Sequence, residues 1–364
     1  MQTAPSTCTV HLLCFPQWQG SENPRHFAGG KFAAETVERR LRATAAVIQC
    51  SDVSVMEEQQ ASTLVQDDAD LAAASTGRPS TTLCTPCINS PRVHRIDAII
   101  QQAQSALEQL QLVSATSIFC SGGDCGVEVL PVSYINQRWP GVVVVWFDAH
   151  ADLNSPSSSP SGHFHGMPVR TLLGEGPAEF DPLLLSPPLQ PSQFIYVGAR
   201  DLDAPEIAYI DAHGMPLLAA HPEATLSSRL ELALHGARVA YIHVDLDVLD
   251  PSAFPHTCCP TQGGLSLDAL LDAIATVGRS VGVVGCGLTE CCGDPSSHAF
   301  ALGAVVDALV DVLIAPLGNE AVGRPASHEA VGRPASLDAS HELLPREPGV
   351  PFEKEPRPAR DKIF

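Results

Sequence analysis

Short apolar runs alternate along the chain with segments of helical periodicity. Most of these runs end in glycine or polar residues, and they lie at 8–15, 115–123, 142–150, 194–201, 239–247 and 281–290. Helical patterns lie at 92–113, 222–236, 266–279 and 298–314. Continuous Val and Ile runs are typical of strands buried on both faces. The alternation therefore predicts an α/β fold, with one parallel sheet between two helical layers and right-handed crossovers.

Two segments lack this pattern. Residues 52–90 are polar, and we interpret them as an irregular excursion. Residues 316–364 are rich in proline and charge, and EAVGRPAS at 320–327 recurs at 329–336. Two copies of so short a repeat cannot build a solenoid, and the segment lacks a core. We therefore predict one folded domain over 1–315 and a disordered tail over 316–364.

Polar residues that follow two of the apolar runs place carboxylates at one edge of the predicted sheet. They are Asp148, His150, Asp152, Asp245 and Asp247. Alternation along an extended chain puts the members of each group on one side, and parallel strands end at the same sheet edge. Four carboxylates so close together repel one another strongly unless cations lie among them. Carboxylates with an imidazole suit Mn²⁺ or related first-row metals, and two ions ~3.5–4 Å apart can activate a shared hydroxide.

The alternative interpretation is that these aspartates are turn residues and helix caps. A single DxH or DxD would favour that interpretation, but two such motifs, each after an apolar strand, favour a metal centre. Asp250 precedes a proline, so we interpret it as a turn residue. We expect His163 to be a loop histidine at the pocket rim. We expect His243 to point away from the metal face, as a core residue or one that packs behind the ligands.

Four segments resemble the arginase/agmatinase (ureohydrolase) family and occur in the family's order. They are DAHADLNSPSSSPSGHFHGMP (148–168), ARDLD (199–203), DLDVLDPSAFP (245–255) and GLTE (287–290). The resemblance extends over about residues 8–315, and the spacing within 148–168 resembles arginases in particular. It implies a three-layer α/β/α catalytic domain with a central, roughly eight-stranded parallel sheet, as in arginases and deacetylases.

The resemblance implies a centre of two divalent ions. One ion would be held by Asp148, Asp152, Asp245 and the residue at the histidine position of the family's GGDH motif. That residue is Cys125 here. The second ion would be held by His150, Asp148, Asp245 and Asp247. Manganese is the family's usual metal.

The same resemblance implies roles for residues around the metal centre. His165 matches the histidine that shuttles a proton, and Glu290 matches the glutamate that pairs with the guanidinium group. Asn154 and Ser161 match residues that contact the carboxylate of the amino-acid substrate. Asp203 matches the aspartate that contacts its α-amino group.

Cysteines mark the departures from the family pattern. Cys125 can ligate as a thiolate, which favours softer ions such as Zn²⁺ or Fe²⁺, with Co²⁺ and Ni²⁺ as further candidates. Alternatively it weakens one metal position, or the protein is a catalytically silent relative. Cys258-Cys259 stands where arginases usually have Gly-Thr, and Cys291-Cys292 follows Glu290. They represent neutral drift, or else an altered substrate or sensitivity to oxidation.

We therefore expect hydrolysis of a guanidino compound, with L-arginine as the leading substrate, to urea and an amine by a metal-bridging hydroxide. The alternatives are agmatinase or guanidinobutyrase activity, another amidino or amide hydrolysis, and a silent protein with a regulatory or scaffold role. One-zinc amide hydrolases typically need a His-His pair and a tyrosine near the site, and we do not find that pair.

Composition bears on partners and location. The formal net charge of -20 argues against nucleic acid and anionic membrane surfaces, and it favours a cationic substrate. The N-terminus lacks the pattern of a signal peptide, and no run reaches the ~18 apolar residues of a membrane span. We predict a cytoplasmic protein, and the family resemblance implies a homotrimer or homohexamer.

Overall fold

The structure, a computed structural model, describes residues 9–55, 93–113 and 115–317. These residues belong to one compact unit of the chain. The predicted excursion at 52–90 lies outside the described residues except for 52–55. The predicted tail at 316–364 lies outside them except for 316–317. Both interpretations stay predictions.

Eight strands form one sheet in which every neighbouring pair is parallel, as the sequence predicts. The strands are β1 (Thr9–Phe15), β2 (Val47–Asp52), β3 (Ser117–Gly122), β4 (Val143–Phe147), β5 (Phe194–Val197), β6 (Leu217–Leu218), β7 (Val239–Asp245) and β8 (Gly282–Thr289). Their order across the sheet is β2-β1-β3-β8-β7-β4-β5-β6. The central strands β3, β8, β7 and β4 therefore end beside one another.

Helices cover both faces of the sheet and bury a separate apolar cluster on each. They are α1 (Arg25–Arg42), α2 (Ile96–Leu112), α3 (Val129–Arg138), α4 (Pro168–Leu172), α5 (Ala204–His213), α6 (Leu226–Ala233), α7 (Leu267–Ser280) and α8 (Ala299–Ile314). Trp146 and Tyr241 lie in one cluster, and Phe147 and Val244 lie in the other. Alternate residues of one buried strand thus serve opposite layers.

The sequence patterns do not predict every element. The buried face of α1 consists mainly of small residues such as Gly29, Ala33 and Ala34, so it lacks the Leu and Ile spacing that marks a helix. The N-terminal part of the predicted helix 222–236 is a 3₁₀ turn at Glu223–Thr225, after a proline. Only Leu226–Ala233, in the middle of that prediction, form a regular helix.

One helix among the described residues is long and apolar enough to span a membrane, by length and composition alone. It covers Ser296–Ile314, with a mean hydropathy of 1.7. The prediction that no run would meet this criterion is therefore wrong. Leu302, Val306 and Leu309 of this helix are buried in the domain, where α8 packs against α1, α7 and β8. A core helix meets the same criterion, so its length and composition do not by themselves indicate a span.

Candidate metal centre and substrate pocket

A pocket with a volume of about 200 Å³ lies where the central strands end. Ten of the eleven residues singled out from the sequence line it, and they are Cys125, His150, Asp152, Asn154, Ser161, His165, Asp203, Asp245, Asp247 and Glu290. The eleventh, Asp148, is fully buried and contacts His150. The volume suits a small molecule, and most of the pocket's polar lining comes from the predicted site.

The end of β4 and the turn after β7 build the first group of potential metal ligands. The indole Nε1 of Trp146 donates to Asp148 Oδ2 at 3.0 Å, and the backbone N–H of His150 donates to Asp148 Oδ1 at 2.6 Å. The ring Nδ1 of His150 lies 3.3 Å from Asp148 Oδ1 and 3.2 Å from Asp247 Oδ2. Ligand atoms of these three site residues lie within 4.8 Å of one another. They therefore surround a volume that one ion can fill.

A second group of potential ligands surrounds Cys125. This residue begins a 3₁₀ turn after β3, where the Asp124 side chain accepts a hydrogen bond from the backbone N–H of Gly126. The thiol Sγ lies 3.4 Å from Asp245 Oδ2 and 3.7 Å from His243 Nε2. Cys125, His243 and Asp148 also have ligand atoms within 4.8 Å of one another. Since Asp148 belongs to both groups, it can bridge two adjacent ions.

Buried negative charge dominates the electrostatics of both groups. Burial, reinforced by repulsion from Asp148, raises the pKa of Asp152 well above its ordinary value. Burial and repulsion from Asp247 do the same for Asp245. Burial opposes a charge on His150, but the carboxylates of Asp247 and Asp148 outweigh it and raise the pKa of this imidazole. The cluster thus carries more carboxylate than neighbouring cations neutralise, which divalent ions would correct.

Asp152 provides an independent sign that a ligand belongs here. Its side chain is buried, and its Oδ2 has no hydrogen-bond partner among the described residues. Its backbone φ of 53° is unusual for a residue with a side chain. Such strain and an unsatisfied buried oxygen concentrate at functional sites. The donor set of carboxylates, imidazole and thiol therefore fits two divalent ions.

Glu290 lies between the metal groups and two histidines. Its Oε1 is 3.3 Å from His165 Nδ1 and accepts the backbone N–H of Cys125 at 3.1 Å. Its Oε2 is 2.9 Å from His26 Nε2, and the other ring nitrogen of His26 is 2.7 Å from Ser21 Oγ. Burial opposes ionisation of this carboxyl, but the charge of His26 prevails and holds the pKa of Glu290 well below its usual range. The two predicted catalytic residues thus meet, together with a histidine that the sequence patterns do not reveal.

The predicted substrate-binding residues form the outer wall of the pocket. Asn154 Nδ2 donates to Asp203 Oδ2 at 2.9 Å. Glu206 supports this pair, because its carboxylate accepts the backbone N–H groups of Asp203 at 2.9 Å and Leu153 at 3.0 Å. The D-x-x-E spacing of a helix cap could have revealed Glu206. Ser161 lies farther out, with its hydroxyl exposed.

One known protein family matches most of this chain. The arginase family model matches residues 27–306, which is more than half of the chain.

The chain belongs to the arginase family.

Curated relatives named arginase share modest identity with it. The arginase of Staphylococcus aureus strain COL is 38% identical over 153 residues, which cover 40% of this chain and 50% of the relative. The arginase of Saccharomyces cerevisiae is 29% identical over 221 residues, which cover 54% of this chain and 63% of the relative. The chain thus matches about half of the length of the first of these relatives.

Solved structures of the arginase family share the fold. The Entamoeba histolytica arginase in complex with L-ornithine has a TM-score of 0.65 at 19% identity, over 85% of this chain and 99% of that one. A Bacillus subtilis formimidoylglutamase has a TM-score of 0.58 at 18% identity, over 86% of this chain and 89% of that one. Identities this low establish the fold and leave the substrate open.

Two further histidines lie near the site. His163 is half-buried beside the pocket, with Nε2 3.3 Å from Glu22 Oε2, and the same oxygen is 2.9 Å from His94 Nδ1. His243 does not point away from the metal face, so that prediction is wrong. It shares a face of β7 with Asp245, because residues two apart in a strand point to the same side.

Proposed function

We propose that this arginase-family protein is a metal-dependent ureohydrolase that cleaves a guanidino compound, with L-arginine as its leading substrate. The products would be urea and an amine. The observation that carries the proposal is the arrangement of Glu290 and His165 beside two ligand groups that share Asp148. A guanidinium group in this pocket would have both a carboxylate partner and the metal ligands next to its central carbon.

Each ion would be held by residues of this chain. The ligands on one side are Cys125, Asp148, Asp152 and Asp245, and those on the other are His150, Asp148, Asp245 and Asp247. When bound, two divalent ions lower the pKa of water and so supply a nucleophile near neutral pH. A strong nucleophile matters because resonance makes the guanidinium carbon a poor electrophile.

Substrate orientation would come from both ends of the pocket. Glu290 can accept paired charge-assisted hydrogen bonds from the planar cation. At the outer wall, the amide of Asn154 and the hydroxyl of Ser161 can donate to a carboxylate, while Asp203 can accept from an ammonium group. This combination favours an amino acid over a decarboxylated substrate such as agmatine.

His165 would supply the proton that the leaving amine needs. Burial lowers the basicity of its imidazole, but the hydrogen bond and charge of Glu290 more than compensate and raise the pKa of His165. This upward shift favours the protonated ring, which can act as a general acid. Its neighbour His163 does not line the pocket, so it offers a matched control.

A second candidate is hydrolysis of an amidine, which has two nitrogens and therefore fewer N–H donors than a guanidinium. The observation that favours it is the contact between Glu290 Oε2 and His26. This cation already partly neutralises the carboxylate that would otherwise bind a guanidinium. Both candidates require the same metal ligands, so they differ only in substrate.

A substrate and metal panel tests these proposals. Urea or ammonia release would be measured with L-arginine, agmatine, guanidinobutyrate and a formimidoyl amino acid, over Mn²⁺, Co²⁺, Ni²⁺, Zn²⁺ and Fe²⁺. We expect arginine to give the highest kcat/KM, a loss of activity in His165→Asn, and little change in His163→Asn. Protein that binds metal but turns over none of these compounds would contradict both proposals and favour a silent scaffold. Assembly into a homotrimer or homohexamer stays a proposal from the family resemblance, and a cytoplasmic location stays a proposal from the sequence.

A further inference from the structure

The neighbourhood of Cys125 contains an imidazole that the family resemblance does not predict. His243 is fully buried on β7, and its ring stacks on Trp146 with the ring centroids 3.6 Å apart. This stacking fixes the plane of the imidazole and directs Nε2 at the thiol of Cys125, 3.7 Å away. Asp148 contributes the third ligand atom of this group. A nitrogen donor is thus present beside the position where a cysteine replaces the expected histidine.

The distances match those between donors that share one ion. In a tetrahedral site with bonds of ~2.3 Å to sulfur and ~2.0 Å to nitrogen, the two donor atoms lie roughly 3.6 Å apart. The Cys125 Sγ to His243 Nε2 distance is 3.7 Å, and the Sγ to Asp245 Oδ2 distance is 3.4 Å. Both separations are therefore near the value for ligation of a common ion.

A buried carboxylate lies on the opposite side of the His243 ring. Glu128 is fully buried, and its Oε2 is 3.5 Å from His243 Nδ1. Gly287 is the residue of β8 that pairs with His243, and a Cβ there would collide with both Glu128 oxygens. The sheet thus leaves room for this carboxylate only because position 287 has no side chain.

This arrangement resembles the way proteins commonly prepare a histidine to bind a metal. Ligating histidines typically direct their second nitrogen at a carboxylate, which fixes the tautomer and makes the first nitrogen more basic. If Nδ1 carries the proton that faces Glu128, Nε2 presents its lone pair to the space beside Cys125. Nothing else in the proposed reaction requires Glu128 at this place.

We propose that His243 Nε2 is a ligand of the ion on the Cys125 side, and that Glu128 is the residue that positions it. The inference rests on the metal centre of the proposed function. The ion would then have a thiolate, an imidazole and carboxylates, a donor set that favours Zn²⁺, Fe²⁺ or Co²⁺ over Mn²⁺. The other position, with His150 and aspartates, keeps the harder donor set. The centre would therefore discriminate between two kinds of metal.

Cobalt titration of the full-length chain tests this inference without reference to activity. Chelated protein receives Co²⁺ stepwise while the thiolate-to-cobalt absorption band and total bound cobalt are recorded. We expect one of two bound ions to give the band, and Cys125→Ser to remove it. His243→Gln should lower the affinity for that ion at least ~10-fold. Glu128→Gln should lower the same affinity by ~10–100-fold but keep the absorption band.

His11→Gln is the matched control, because His11 is also a fully buried histidine on a strand of the same sheet but belongs to neither ligand group. It should bind both ions as the wild type does. If His243→Gln does not fold, nitrogen NMR of wild-type histidines replaces it, with a zinc-induced shift expected at the Nε2 of His243.

Four outcomes would overturn the inference. An unaltered band and affinity in His243→Gln would show that the imidazole is not a ligand, and an unshifted His243 Nε2 would show the same. If two ions bind but no absorption band depends on Cys125, the sulfur is not a ligand, although the proposed function would still hold. Binding of no divalent ion would reject the proposed function as well.

Discussion

Replacement of Asp245 by asparagine should change protein stability in opposite directions with and without metal. In chelator, the carboxyl of Asp245 is buried among other acidic groups, and its raised pKa reflects this cost. Asparagine retains an oxygen that can accept the backbone N–H of Asp247, the hydrogen bond that Asp245 Oδ1 makes at 2.7 Å. The substitution therefore removes charge and keeps this local contact, but it removes a metal ligand.

The size of the effect follows from the spacing of the carboxylates. Ligand oxygens of Asp245 and Glu290 lie within 4.8 Å of each other. Two unit charges at that distance repel by about 3 kcal/mol at an effective dielectric constant of about 20. Nearby histidines offset part of this repulsion and Asp247 adds to it, so we expect a net stabilisation of about 1–3 kcal/mol in chelator. Two ions, each at ~100 times its Kd, should stabilise the wild type by about 5 kcal/mol, most of which the variant loses.

The stabilisation in chelator should also depend on pH. A carboxyl whose pKa is raised by folding binds protons more tightly in the folded protein than in the unfolded chain. Below the unfolded-state pKa the carboxyl is protonated in both states, so burial of its charge costs no stability there. As the pH rises through the folded-state pKa, the buried carboxyl must ionise and the folded wild type loses stability. The advantage of Asp245→Asn in chelator should therefore grow as the pH rises above the ordinary carboxyl value of 3.8.

Urea denaturation measures the free energy of unfolding of both proteins, once with chelator and once with saturating Co²⁺. Asp250→Asn is the control, because this exposed carboxylate follows the same strand but makes only turn contacts, to Ser252 and Gly263. It should shift stability equally in both conditions. The reasoning is refuted if Asp245→Asn is less stable than the wild type in chelator, or if it keeps the full stabilisation by metal.

Three further predictions concern activity. Cys125→His should increase Mn²⁺ affinity and Mn²⁺-dependent urea release by ~10-fold or more, because imidazole suits this ion better than thiolate. Metal titration and initial rates measure the two effects, and an unchanged dependence on Mn²⁺ would contradict the prediction. Glu290→Gln should lower kcat/KM for arginine by ~100-fold or more, since the lost charged hydrogen bonds act on the reacting group. Glu206→Gln should raise KM more than it lowers kcat, because its carboxylate supports Asp203 and does not contact the metal ligands; an equal loss in both would place it in the chemistry.

The chemistry of the metal side was predictable because it depends on short-range patterns. A buried parallel strand ends in a fixed direction, so the residues after β4 and β7 had to meet near the same edge. The strand pattern alone therefore predicts that Asp148 and Asp245 lie close together. Cys125 was found through its motif, as the residue that departs from it.

The rest of the site depends on contacts that no local pattern encodes. His26 reaches Glu290 from α1, a helix whose buried face is built from small residues and so gives a weak periodic signal. Glu128 occupies the space that Gly287 of β8 leaves free, and only the three-dimensional structure shows this contact. The orientation of His243 follows from the alternation that also places Asp245, taken two residues back along β7.

The most direct test of the metal centre is an anomalous-scattering crystal structure of the protein grown with Mn²⁺ and Zn²⁺. The account predicts two peaks ~3.5–4 Å apart, both in contact with Asp148, with zinc on the Cys125 side. A pocket without any peak at saturating metal, or a single ion that Asp148 does not touch, would contradict the claim that these carboxylates form a binuclear site.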